Sequence, residues 1–144
     1  MRLTRFTDFG LRACMRMAAD PSRAFSTAEL ADEFAISRNH LTKTIAALAH
    51  AGIVTTRRGT GGGAMLARPA QQISIGQVVE VLEGGSALVE CFQPDGGSCI
   101  VRPDCRLKGM LLRARFKFIA ELQQFTLADC ALPKPKESRH DTDE

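Results

Sequence analysis

Apolar positions Phe9, Ala13 and Met17, with Leu11 and Cys14 between them, recur every three or four residues and predict a helix over residues 6–19. Asp20-Pro21 ends it. Ser26-Thr27-Ala28-Glu29 reads as a capping box opening a second, short helix, with Leu30, Ala31 and Phe34 inward and a stop near Ala35-Ile36. Ser37 then caps a third helix whose inner face is Leu41, Ile45 and Leu48 and which Gly52 terminates. The period changes next: Ile53-Val54-Thr55-Thr56 reads as a strand, Gly59-Thr60-Gly61-Gly62-Gly63 as a turn, and Ala64-Met65-Leu66-Ala67 as a returning strand closed by Pro69. Ser74-Ile75-Gly76-Gln77, another capping box, opens a helix burying Ile75, Val78, Val79 and Leu82, ended by Gly84-Gly85. A loop rich in Pro, Gly and Asp runs from Cys91 to Cys105. From Arg106 a long helix carries Leu107, Leu111, Ala114, Phe118, Leu122 and Phe125 close to a heptad seam. Thr126-Leu127-Ala128-Asp129 resembles a last capping box.

Two helices joined by a short turn and followed at once by a Gly-rich hairpin make a winged helix-turn-helix, so the fold class is mostly α with a small β-hairpin wing. The expected organisation is a DNA-binding region over residues 1–69, a short helix and cysteine loop over 70–105, a dimerisation helix and short terminal helix over 106–132, and a mobile charged tail over 133–144. The third helix would lie in the DNA major groove. Its first turns offer Arg38, Asn39, His40, Thr42 and Lys43 outside the apolar stripe, residue types that reach base edges and phosphates. Arg57 and Arg58 at the wing base suit phosphates or the minor groove. The Gly run is not a phosphate-binding loop, because no Gly-Lys-Ser/Thr follows and a strand, not a helix, comes next. A seam this long favours a homodimer, which a palindromic operator also requires.

Composition narrows the class. With 144 residues, 44% hydrophobic and 24% charged, the chain is one small globular unit, which argues against disorder throughout and against a membrane span. Eight Phe without Trp or Tyr leave little for stacking single-stranded nucleic acid or carbohydrate. The net charge of +3 is unevenly spread: residues 1–69 hold ten Lys/Arg against five Asp/Glu, and residues 70–105 one against five. A basic N-terminal half facing a polyanion is thus set against an acidic middle segment. No nucleophile and base pair or cofactor loop suggests an enzyme.

Five cysteines, an odd number, and an N-terminus lacking an apolar signal segment point to a cytoplasmic, reducing setting in which clustered thiols are metal ligands or redox groups. Cys91, Cys99 and Cys105, separated by seven and five intervening residues, share the loop and could converge. Cys105 sits at a helix N-terminus near Arg102 and Arg106, a setting suited to a thiolate ligand. Structural zinc favours closer pairs, and iron-sulfur clusters favour four ligands, so the fourth position is open to another Cys, a carboxylate, a His or an exchangeable group. Cys14 and Cys130 read as small buried hydrophobes.

The segments Leu3-Thr4-Arg5-Phe6-Thr7-Asp8-Phe9-Gly10-Leu11-Arg12, Ser37-Arg38-Asn39-His40-Leu41, Arg58-Gly59-Thr60-Gly61-Gly62-Gly63, Cys105-Arg106-Leu107-Lys108 and Phe125-Thr126-Leu127-Ala128-Asp129 together resemble the Rrf-type family of iron-sulfur winged-helix repressors, across residues 1–132. Within it the pattern is most similar to the nitric-oxide-sensing branch. The resemblance implies an iron-sulfur cluster, 4Fe-4S ahead of 2Fe-2S, held by Cys91, Cys99 and Cys105. It also implies a fourth ligand from an acidic residue near the partner subunit's N-terminus, the position Asp8 matches. A related branch carries a His soon after its third Cys, which Leu107 and Lys108 here do not supply. The iron-sensing branch, which shares the Glu90-Cys91-Phe92 character, and a cluster-free thiol switch remain the alternatives.

Overall fold

The first helix, α1 (Arg5–Ala19), begins at a Thr4 cap whose hydroxyl accepts from the Thr7 amide, a start the apolar spacing alone places slightly late. The computed structural model describes residues 2–101 and 105–132; the expectations for Arg102 and for the tail 133–144 lie outside the described residues. α2 (Thr27–Glu33), α3 (Arg38–His50), the strands β1 (Val54–Arg57) and β2 (Gly63–Leu66), α4 (Ile75–Glu83) and α5 (Arg106–Leu122) follow in order. Single 3-10 turns occupy Ala70–Gln72, Glu90–Phe92 and Leu127–Cys130.

The expected inner faces form one core. Ala13, Cys14 and Met17 of α1, Leu30 of α2, Leu41, Ile45 and Leu48 of α3, and Val78 and Leu82 of α4 are buried together with Phe25, Ile53, Ile73 and Leu127. Phe9, Leu11, Phe34 and Ile75 are only half-buried, because each lies at the edge of its stripe. The turn between α2 and α3 passes through Ala35 at φ +52°, a left-handed conformation usually left to Gly or Asn. α3 ends as expected, with Gly52 at φ +70°.

The wing is antiparallel, with Val54 opposite Leu66 and Arg57 opposite Gly63. It starts one residue later than the β-branched run suggests, since Ile53 is wholly buried in the core. Phe25 adds a further rung: its amide and carbonyl bond the carbonyl and amide of Ala64 at 2.8 and 2.7 Å.

Two capping boxes form only in half. Ser26 and Ser74 accept from the Glu29 and Gln77 amides, but the Glu29 carboxylate turns to Arg23 and the Gln77 carbonyl to Arg68, cations that outcompete a backbone N–H. Ser37 makes no side-chain cap bond. Thr126 and Asp129 complete theirs in both directions.

The C-terminal segment folds back on α4. Phe125 carbonyl accepts from the Ile75 amide, and the Leu127 amide bonds Ile73 carbonyl, both at 2.9 Å. α4 lies so close to the end of α5 that a Cβ on Gly76 would stand 2.7 Å from the Gln123 nitrogen and 2.8 Å from the Ile119 oxygen. The seam expected on α5 divides. Leu111, Phe118 and Leu122 face inward half-buried, whereas Leu107, Ala114 and Phe125 are exposed, as are Met110 and Phe116. No residue of α5 is fully buried, so within the single chain the helix is covered on one flank only.

Candidate functional site

The face expected to read DNA lies on the first turns of α3. Leu41, Thr44, Ile45 and Leu48 bury one side, which turns Arg38, Asn39, His40, Thr42 and Lys43 outward, all exposed. The Thr42 hydroxyl donates to the Arg38 carbonyl at 2.8 Å, leaving its lone pairs to accept. Thr44 is held inside by donation to the His40 carbonyl at 3.0 Å. Arg57 and Arg58 stand exposed where β1 enters the wing turn, so both expected groups of cations are open to solvent. Absent a side-chain cap, the Ser37 hydroxyl is also exposed at the helix start, a polar group that reading it as a cap concealed.

The cysteine loop doubles back on itself. Glu90 accepts from the Ser98 amide at 2.8 Å, Asp95 accepts from the Gly97 amide at 2.9 Å, and Gly96 and Gly97 take the positive φ values of +78° and +59° that the reversal needs. The reversal brings Cys99 back to the side of the loop that carries Cys91, and Cys105 stands at the N-cap of α5. All three line one cavity of about 570 Å³, walled by Val89, Val101, Leu107 and Leu111 and edged by Arg106 and Lys108. The thiols are free and half-buried. Among the described residues, no three His, Cys, Asp or Glu side chains stand close enough together to hold a metal ion as placed. The donor set still fits a soft metal group: three thiols, apolar walls and cations at the rim.

The other two cysteines stand apart. Cys14 is fully buried, and burial, with Cys130 nearby adding to it, pushes its thiol up to about 12. Cys130 is half-buried, its thiol directed at the carbonyls of Thr126 and Leu127, and burial followed by the Asp129 charge raises it too.

Asp8 does not join the cysteine cavity of its own chain. It lies in the first turn of α1, half-exposed, and pairs with Arg12 at 2.8 Å. Sequence reasoning missed what holds this turn. Glu83, the last residue of α4, accepts from the Thr4 amide at 2.8 Å, the Thr4 hydroxyl at 2.9 Å and the Thr7 hydroxyl. Burial works against the charge on Glu83, but the bonds from Thr7, Thr4 and Ser86 outweigh it and hold the carboxyl below its ordinary value. The Thr4-x-x-Thr7 spacing before the apolar stripe was the available signal for the helix start; nothing local marks Glu83 as its partner.

A helical core that presents an exposed cationic helix start and a two-stranded hairpin defines a winged helix-turn-helix DNA-binding protein, here with a thiol-lined cavity beside its long helix. The chain belongs to the Rrf2 family, described as iron-dependent transcriptional regulators, which matches residues 3–132. It is 40% identical over 133 residues to the HTH-type transcriptional regulator NsrR of Shouchella clausii (strain KSM-K16), covering 92% of this chain and 89% of that protein. Among solved structures it resembles oxidised CymR of Staphylococcus aureus, with a TM-score of 0.69, 25% identity and coverage of 91% of this chain and 96% of that one. IscR of T. potens matches with a TM-score of 0.69 and 25% identity over 90% of this chain and 85% of that one. The protein is accordingly a DNA-binding transcriptional regulator and not an enzyme. Among the described residues no helix is long and apolar enough to cross a membrane.

Proposed function

We propose that this regulator is a cytoplasmic, homodimeric repressor whose hold on a palindromic operator is controlled by an iron-sulfur cluster that senses nitric oxide. The observation that carries the reading is that Cys91, Cys99 and Cys105, free and half-buried, line one largely apolar cavity in a chain similar to NsrR. These thiols would hold the cluster, 4Fe-4S with 2Fe-2S as the alternative. When bound, it supplies iron open to nitric oxide. Val89 and Leu111 give the sulfurs apolar neighbours, Val101 and Leu107 line the open side of the cavity, and Arg106 and Lys108 at the rim would offset thiolate charge, with Glu90 working against them. Asp8 of the partner subunit would supply the fourth ligand, a hard carboxylate among soft thiolates and hence the weak point of the set. Arg38, Asn39, His40, Thr42 and Lys43 read the major groove while Arg57 and Arg58 contact the flanking backbone. The exposed apolar side of α5 packs against the second subunit.

Because α1 packs directly on α3, loss of the tie at Asp8 would free α1 from the partner's loop and let the two recognition helices leave their half-site spacing. Purification without oxygen tests this. The expected protein is brown, carries iron and acid-labile sulfide, binds its operator, and releases it on exposure to nitric oxide. Serine at any one of the three cysteines removes the colour. Colourless protein with a full nitric oxide response would make it a thiol switch. If Asp8→Ala leaves cluster stability and the response unchanged, the cross-subunit ligand is wrong. The family's description as iron-dependent favours one second reading, an iron-responsive regulator, for which chelation and not nitric oxide releases the DNA.

A further inference from the structure

Arg16 is the one charged residue buried among the core side chains of the described residues, 4% exposed in the last turn of α1. Its Nε donates to both carboxylate oxygens of Glu33 at 3.1 and 3.3 Å. Glu33 is the last residue of α2, two positions before the left-handed Ala35 that sets the turn into α3. The flat face of the same guanidinium lies over the Phe25 ring, 4.8 Å from its centre, and buried Nη1 has no hydrogen-bond partner. Phe25 is wholly buried and forms the extra rung on β2 through Ala64. Arg23 also stands over that ring, at 4.6 Å, and pairs with Glu29 at the start of α2.

One planar cation therefore touches three parts of the DNA-reading unit: α1 by its stem, the end of α2 by its edge, and the wing base by its face. A lysine cannot do all of this, since its ammonium is a compact point charge with no planar face to lay over the ring while one nitrogen reaches the carboxylate. Burying such a group is costly, and an apolar residue of similar length would pack as well or better, so stability does not explain its presence.

We propose that Arg16 is a positioning residue for DNA binding, fixing the angle between the recognition helix and the wing so that α3 and the Arg57-Arg58 pair meet the duplex together. The inference goes beyond the cluster reading and does not depend on it, because it concerns the reading unit alone.

The test compares wild type with Arg16→Met in the full-length protein, using a duplex selected by the wild type from a random-sequence pool. Methionine keeps the stem's packing, and the Glu33 side chain, 23% exposed, regains water. Thermal stability should be held or raised while duplex affinity falls about tenfold and the slope of log K against log salt becomes shallower by about 0.9 for each phosphate the wing no longer neutralises. Backbone cleavage protection should vanish at the flanks the wing covers and persist over the half-site centres. Adding Arg57→Ala and Arg58→Ala should weaken Arg16→Met further by much less than it weakens wild type. Phe25→Leu, which removes the ring but keeps a smaller apolar side chain, should reproduce the changes in affinity, slope and flank protection at some cost in stability, and so should Arg16→Lys if Arg16→Met does not fold. Unchanged affinity and slope, or a uniform loss of affinity with the slope and the flank protection intact, would overturn the proposal.

Discussion

Removing the charge from Glu83 isolates an interaction between distant parts of the chain, since this carboxylate alone receives three bonds from the capping turn of α1. Glu83→Gln preserves the shape and one acceptor oxygen but converts charge-assisted bonds to neutral ones, a difference of about 1 kcal/mol per bond in favourable cases. The three bonds share one oxygen and the site is only partly covered, so they do not add. The favourable effect of a negative charge at a helix N-terminus, about 0.3–1 kcal/mol, is lost with them. The net cost is expected to be about 1–2 kcal/mol at pH 7, or about 3–7 °C in Tm for a chain of this size.

The pH dependence separates this from a packing defect. The Glu83 carboxyl is held below its ordinary value in the folded protein, so its contribution is full above the unfolded value of about 4.3 and disappears as pH falls through the lower folded one. Circular dichroism melts of metal-free wild type and Glu83→Gln, taken in parallel from neutral to acid pH, should show a gap that closes on acidification. A constant gap down to pH 3, or none at pH 7, would refute the charge-assisted clamp.

Gly76→Ala should destabilise by about 1–3 kcal/mol in urea titration, because its methyl has no room against the Gln123 nitrogen and Ile119 oxygen and α4 must part from α5. Ala35→Gly should raise the unfolding free energy in urea by about 0.5 kcal/mol, the relief of a left-handed alanine slightly exceeding the entropy glycine adds to the unfolded chain. Iodoacetamide at pH 8, followed by peptide mass analysis of the metal-free protein, should label Cys91, Cys99 and Cys105 while Cys14, buried and pushed up to about 12, reacts only after unfolding. Labelling of Cys14 at the rate of the loop thiols would contradict its burial.

Helix stripes and glycine punctuation made most of the fold legible, because Leu41, Ile45 and Leu48 or Val78 and Leu82 repeat at a period set by the helix itself. The hairpin was readable for a similar reason: only its glycines tolerate the turn between two β-branched or apolar runs. Where a residue chooses between a local and a distant partner, local patterns failed. Glu29 matches the capping box and yet binds Arg23; Glu83 shows no pattern and yet holds the start of α1. The seam on α5 was legible as apolar spacing but not as exposure, since spacing alone does not tell which positions the rest of the chain covers. The cysteine loop was legible as three thiols in a flexible stretch, whereas their approach depends on Glu90 and two left-handed glycines that no spacing rule includes.

In the proposed mechanism α1 serves two sites, and its packing suits it to both. It is a rod of fifteen residues, about 22 Å long, clamped near its start by Glu83 of α4 and near its end by the Arg16 bonds to α2 and Phe25. Between the clamps, Gly10 lets it lie against Leu82 and the Thr44 methyl so closely that an added Cβ would stand 3.0 Å from that methyl. A helix packed this tightly on α3 and α4 has no soft segment in which to absorb a displacement. Movement imposed at its first turn must therefore pass to the recognition helix as a rigid shift. Replacing Gly10 by alanine would press first on Leu82 of α4 and then on Thr44 of α3, shifting α1 against both, and should loosen DNA binding in a duplex titration even where Asp8, Arg16 and all three loop cysteines are intact.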